Sequence, residues 1–162
     1  MNKRAFALPR QVKPELEHVY SRSPKLGYEP PEEAGVVRCL SHGFPTELDR
    51  CHFHDEYELH LITQTNGKAF VGDWIGPFAP GHLVLCGPRL PHNWVSMDAP
   101  EGGVSERDYV IQFDHDPIAS AAKHLPELAE LMPLLERAKH GIEFFGVGDA
   151  ALTHWHRVKA AK

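Results

Sequence analysis

The sequence predicts an all-β domain, an antiparallel sandwich or barrel, followed by C-terminal helices. Three observations carry this. Between residues 36 and 116, short apolar and β-branched segments succeed one another at roughly 8–12 residue spacing. The chain holds 13 Gly and 14 Pro, and many of them fall in the breaks between those segments. After Asp116 the apolar period lengthens from that of a strand to that of a helix.

Residues 1–35 read as an irregular arm. Pro9, Pro14, Pro24, Pro30 and Pro31 forbid a long helix and suit an extended strap across a surface. The strands then begin with Val36-Val37-Arg38-Cys39-Leu40. The segment from Tyr57 to Gln64 alternates and ends at Asn66-Gly67, a hairpin signal. Lys68 to Ile75 follows as one segment, Pro80-Gly81 turns the chain into His82–Cys86, and Gly87-Pro88 breaks it again. His92–Met97 and Arg107–Phe113 complete the set, so the barrel is expected over 36–116. Over 117–162 a short helix opens at Pro117. Leu125, Leu128, Leu131, Met132, Leu134, Leu135 and Ala138 recur at helical spacing, interrupted at Pro133 and ended by Gly141. One strand at 142–146 and a last helix from Ala150 to Lys162, capped by Asp149, close the chain.

At 162 residues this is one domain, long enough to bury a core without staples. The net charge of −5 argues against the chain gripping nucleic acid by itself, which needs a basic face. No apolar run approaches the roughly 20 residues of a membrane helix, and the basic N-terminus lacks the apolar stretch of a secretory signal. Three cysteines (Cys39, Cys51 and Cys86), with no paired spacing, fit a reducing cytoplasm better than a disulfide framework.

The 12 histidines are the informative residues. His52 and His54 lie two apart, so on a strand they share a face. Glu58 follows four later, and Pro91-His92 supplies a third imidazole at the head of another strand. His52, His54, Glu58 and His92 form a sensible nitrogen and oxygen set for a divalent transition metal. The same four could instead make a polar floor that hydrogen-bonds an organic ligand. No phosphate loop, Ser-His-Asp order or Cys-His nucleophile stands out, so no catalytic residue is assigned.

The spacing HxHxxxE with a later PH resembles the two-part cupin motif. The longer stretch HFHDEYELHLITQTNGKAFVGDWIGPFAPGHLVLCGPRLPHNW, residues 52–94, is similar to the N-terminal effector-binding domain of AraC-family transcription regulators. The resemblance extends from about residue 12 to 150. His82 stands where that family usually has Asp, and Gly67 lies later than in the general cupin pattern. The resemblance implies a cupin jelly roll, a double-stranded β-helix, that binds a small-molecule effector and dimerises. It implies DNA binding only through a C-terminal helix-turn-helix domain that this chain does not contain. The uncapped ending at Ala160-Ala161-Lys162 is expected of a chain cut from a longer parent. A bound metal would be Zn, Ni, Fe or Mn. His60, Trp74, Arg89 and Trp94 are the candidate ligand contacts, Trp94 because it shares a strand face with His92. Dimerisation is expected through Leu125–Ala138 or through the stripe Leu152, Trp155 and Val158 on the last helix, unless Trp155 folds back onto the barrel. The competing reading is a small metal-dependent cupin enzyme, a dioxygenase or isomerase, with Glu58 or His60 assisting.

Overall fold

A computed structural model describes residues 13–17 and 35–161. The expected arm over 1–35 lies otherwise outside the described residues. Ten strands are found there: β1 (Glu15–Leu16), β2 (Val37–Phe44), β3 (His52–Phe53), β4 (Tyr57–Ile62), β5 (Gly67–Val71), β6 (Trp74–Phe78), β7 (Leu83–Cys86), β8 (His92–Ser96), β9 (Val104–Phe113) and β10 (Ile142–Phe144). They form two five-stranded sheets, β1-β3-β8-β5-β6 and β10-β7-β4-β9-β2. All neighbours pair antiparallel except β1 and β3.

Period-two alternation sorts the side chains. In the second sheet Glu58 lies opposite Cys86 and Gln112, and His60 opposite Val84 and Val110. Those residues share one face with Ile62. In the first sheet Val71 lies opposite His92, and Ala69 opposite Trp94. Ile62, Val84 and Cys86 pack against Ala69, Val71, Phe78 and Trp94 as one buried cluster, so these two faces meet and form the interior. The outer face of the second sheet carries Leu59, Leu61, Leu83, Leu85, Tyr109 and Ile111, which helices cover.

The helical region holds α1 (His115–Ala122), α2 (Pro126–Ala129), α3 (Met132–Arg137), a 3-10 turn at Ala138–His140 and α4 (Gly148–Ala160). Pro126 and Pro133 stand in the first turns of α2 and α3, where their missing N–H groups are not needed. Leu135 and Ala138 pack on Leu85 and Tyr57. The last helix starts earlier than expected: Asp149 lies in its first turn and makes no side-chain cap, acting there only as favourable charge near the helix N-terminus. Its apolar stripe is covered. Trp155 is buried among Leu61, Leu83 and Tyr109, with Ala151, Leu152 and Val158 alongside, and its Nε1–H donates to the Val110 carbonyl at 2.9 Å.

Two turn expectations are corrected. Asn66-Gly67 is not a hairpin, because β4 and β5 belong to different sheets. The chain crosses between sheets there, through Thr65 at φ 67°. The hairpin lies inside the segment expected to be one strand. Val71 pairs with Trp74 across the two-residue loop Gly72-Asp73, and Gly72 adopts φ 60°, as the primed hairpin turns require. All three cysteines are free. No helix of the described residues is long and apolar enough to cross a membrane.

Candidate metal centre

His52 and His92 are direct partners across β3 and β8. β3 ends at Phe53, so His54 is not on the strand with His52. It sits in the bend before β4, where its carbonyl accepts the Arg89 N–H at 2.7 Å. The bend swings its ring back toward the pair. Ring centroids of His92 lie 4.6 Å from those of His52 and 5.0 Å from those of His54. All three side chains are buried, and their potential ligand atoms lie within 4.8 Å of one another.

The main chain orients each ring. Nδ1 of His52 lies 2.8 Å from the Arg50 carbonyl, that of His54 3.1 Å from the Glu56 carbonyl, and that of His92 2.8 Å from the Leu90 carbonyl. A carbonyl can only accept, so each Nδ1 carries the hydrogen and each neutral ring presents its Nε2 lone pair. Metal-ligating histidines are held in this way. Carboxylates face those same lone pairs. Glu58 stands 3.0 Å from Nε2 of His54 and 3.6 Å from that of His92, and Glu17 stands 3.5 Å from that of His52. Lone pairs and carboxylates directed at one another repel unless a cation, a proton or a metal ion, sits among them. The residues therefore fit a divalent metal: three nitrogen donors with negative charge beside them.

Electrostatics agree with this. Burial pushes His92 down to about 3 against the pull of Glu58, so it stays neutral with Nε2 open. Burial would also lower His54, but Glu58, Glu17 and Glu56 overcome it and hold it above its ordinary value. Glu58 resists burial because the His54 and His60 rings hold it well below the usual carboxylate range.

Glu58 stands at the edge of the imidazole group and is heavily engaged elsewhere. It also accepts from His60 Nδ1 at 2.7 Å and from the Gln112 amide at 3.0 Å. His60 continues the network: its Nε2 lies 3.6 Å from Asp108, which Arg107 grips at 2.6 and 2.7 Å. Burial works against the His60 charge, yet Asp108 and Glu58 raise it to about 9. Its ring stacks on Trp94 at 3.9 Å.

Two cavities flank this network. A polar one of about 30 Å³ is lined by Glu17, His52, Glu58, His60, Trp94 and Asp108, among others. A larger one of about 600 Å³ touches Val71, Trp74, Val84, Arg137, Glu143 and Phe145. It opens where β6 and β10, the last strands of the two sheets, leave the interior uncovered. Val71 is the strand partner of His92 and Val84 that of His60, so the two cavities lie one strand apart on both sheets.

The expected ligand residues thus separate. Trp94 and His60 line the polar cavity and Trp74 the larger one. Arg89 lies on the surface, 3.1 Å from Asp55. Sequence reasoning missed Asp108 and Gln112, although both stand at alternate positions of β9, on the same face as Val110. It also missed Glu17 and Glu143, for which nothing in the local sequence pattern offers a signal. No protein-family model matches this sequence, and the search of curated proteins found no match.

Proposed function

We propose that the chain is a cupin-type jelly roll serving as the effector-sensing and dimerisation domain of an AraC-type transcription regulator, with a metal-binding histidine centre beside its ligand cavity. The effector is a small organic molecule with an apolar body. The observation that carries this reading is the division of the interior. About 30 Å³ beside the imidazoles has room for an ion or a water but for no organic substrate, whereas about 600 Å³ one strand away has the size of a small-molecule site. An enzyme working at the metal would need the opposite arrangement. When bound, a divalent cation such as Zn, Ni, Fe or Mn supplies positive charge that offsets the carboxylates and ties β3, the His54 bend and β8 together. DNA binding belongs to a helix-turn-helix domain outside this chain.

An effector would act by its differential affinity for two states of the parent protein, typically worth about 1–3 kcal/mol. The resemblance in residues 52–94 supports the family; the cavity supports the site. The test is thermal unfolding of the purified chain against a panel of small organic compounds. A ligand at a hundred times its dissociation constant adds about 2.7 kcal/mol. At this chain length that raises the midpoint by roughly 5–10 °C. Trp74→Ala opens the cavity rim and is expected to reduce the shift, while His92→Ala leaves it. A shift that survives Trp74→Ala unchanged would place the ligand elsewhere and refute the assignment.

A further inference from the structure

The large cavity forms where the helical segment returns to the second sheet. α3 carries Arg137 in its last turn, and Leu135 and Ala138 on either side of it are buried. The Ala138 carbonyl accepts the Gly87 N–H at 2.8 Å and the Gly141 N–H at 2.9 Å, which pins this turn to the end of β7. Gly141, at φ 77°, then turns the chain into β10. A Cβ there would lie 2.7 Å from Val71 Cγ1, so the turn sits close against β5. Arg137, His140 and Glu143 thereby line the cavity of about 600 Å³ together with apolar walls that include Val71, Trp74 and Phe145.

The charged groups on this cavity are not equivalent. Glu143 stands 3.2 Å from His82 Nδ1, so its carboxylate is already engaged. Glu136, next to Arg137 in sequence, is taken by Lys139 at 2.6 Å. Among the described residues Arg137 has no ion-pair partner. A mainly apolar pocket takes its specificity from the few polar groups within it. Here the uncommitted one is a guanidinium, a planar fork of N–H donors that matches a carboxylate. His140 adds a ring N–H in either protonation state. We propose that the ligand of this cavity is a monocarboxylate on an apolar body, with the body against Trp74 and Val71 and the carboxylate on Arg137. One guanidinium matches one negative charge, and the Glu143 carboxylate on the same cavity disfavours a second. This rests on the reading of the large cavity as a small-molecule site.

The test compares three probes of one shape on the full chain: naphthoate, its neutral amide naphthamide, and the cation naphthylmethylammonium. Titration calorimetry gives their affinities for the wild type, Arg137→Gln, Arg137→Lys and Trp74→Ala. The wild type is expected to bind naphthoate about tenfold tighter than naphthamide, and the cation weakest. Arg137 is exposed, so its replacement spares the core. Arg137→Gln is expected to remove the preference for naphthoate while leaving naphthamide unchanged. Arg137→Lys keeps the charge without the fork and restores part of the preference. Trp74→Ala weakens naphthoate and naphthamide alike. Added salt weakens naphthoate alone, because the guanidinium is reached by solvent. Equal binding of naphthoate and naphthamide, a naphthoate preference that survives Arg137→Gln, or tightest binding of the cation overturns the carboxylate; if binding still falls in Trp74→Ala, the cavity remains the site. Binding that ignores both Trp74→Ala and Arg137→Gln, or no binding of any probe, overturns the proposal and the cavity with it.

Discussion

Glu58→Gln is the most informative substitution in the interior. The carboxylate is 4% exposed and, with no metal bound and His54 protonated, takes three hydrogen bonds: from His60 at 2.7 Å, His54 at 3.0 Å and Gln112 at 3.0 Å. A glutamine keeps the volume, but its one oxygen cannot serve all three, and its NH₂ meets a donor. The charge on His60, raised to about 9 with the help of Glu58, loses one of its two carboxylate neighbours. Removing one member of a buried ion pair typically destabilises by about 3–5 kcal/mol. At roughly 2–4 °C per kcal/mol for a chain of this size, the midpoint should fall by about 6–20 °C. The assay is urea and thermal unfolding in EDTA, followed by tryptophan fluorescence, for Glu58→Gln, His60→Gln and the double variant. The double variant should lose clearly less than the sum, by about 1 kcal/mol or more, because the two residues share one network. A loss below about 1 kcal/mol for Glu58→Gln, or strict additivity, would show that this network does not hold the interior together as argued.

Trp155→Ala removes the ring that packs edge-on against Tyr109 at 4.9 Å and bonds Val110; it should cost about 3–5 kcal/mol in urea unfolding. Gly67→Ala would set a Cβ 2.0 Å from the Val95 carbonyl oxygen of the paired strand, so backbone must move. A loss of about 1–3 kcal/mol is expected from the same assay, and an unchanged midpoint would contradict the register of β5 and β8. His60 sets a pH dependence: raised to about 9 from an ordinary 6.5 or so, it binds its proton more tightly folded than unfolded. Its contribution is complete below about pH 6.5 and is lost as pH climbs to about 9, so stability should decline over that interval, and His60→Gln should flatten the decline.

The sequence makes the β-rich class and the histidine cluster legible for separate reasons. Short apolar segments bounded by Gly and Pro breaks report buried strands, and β7, LVLC with all four residues buried, is the clearest of them. His52 and His54 stand two apart and Pro91-His92 heads a later strand, so their convergence is readable even though His54 reaches the site from a bend and not from the strand. Connectivity was less legible. Asn66-Gly67 carries the strongest two-residue hairpin signal in the chain, yet Gly67 lies within β5, opposite Ser96 and Phe78. There the absence of a side chain answers the close approach of Val95, not a turn. The stripe on α4 was legible as apolar, but the surface that covers it, Leu61, Leu83 and Tyr109, comes from three strands far away in sequence. Glu17 was invisible for the same reason: a single glutamate gains meaning only from the parallel pairing of β1 with β3.

The polar interior divides into groups whose bonding is complete and atoms whose bonding is not. Asp108, Arg107 and Glu58 satisfy one another and their neighbours, and such a network fixes side-chain positions. Among the described residues, other buried polar atoms have no hydrogen-bond partner, both within this network, at His60 Nε2 and Gln112 Oε1, and beside it, at His92 Nε2, Trp94 Nε1 and His82 Nε2. Each unmet polar atom costs about 1–3 kcal/mol when neither water nor a ligand meets it. The His92, Trp94 and His82 rings also lie on one path. The ring of His92 is 5.6 Å from that of Trp94, Trp94 is 6.5 Å from His82, and His82 is 6.4 Å from Trp74 on the rim of the large cavity. At its far end His82 is tied to Glu143 at 3.2 Å, a residue that also lines that cavity. Closely packed rings cannot shift one at a time. The Trp74, His82, Trp94 and His92 rings therefore hold one another's orientation between the rim of the large cavity and the imidazole cluster.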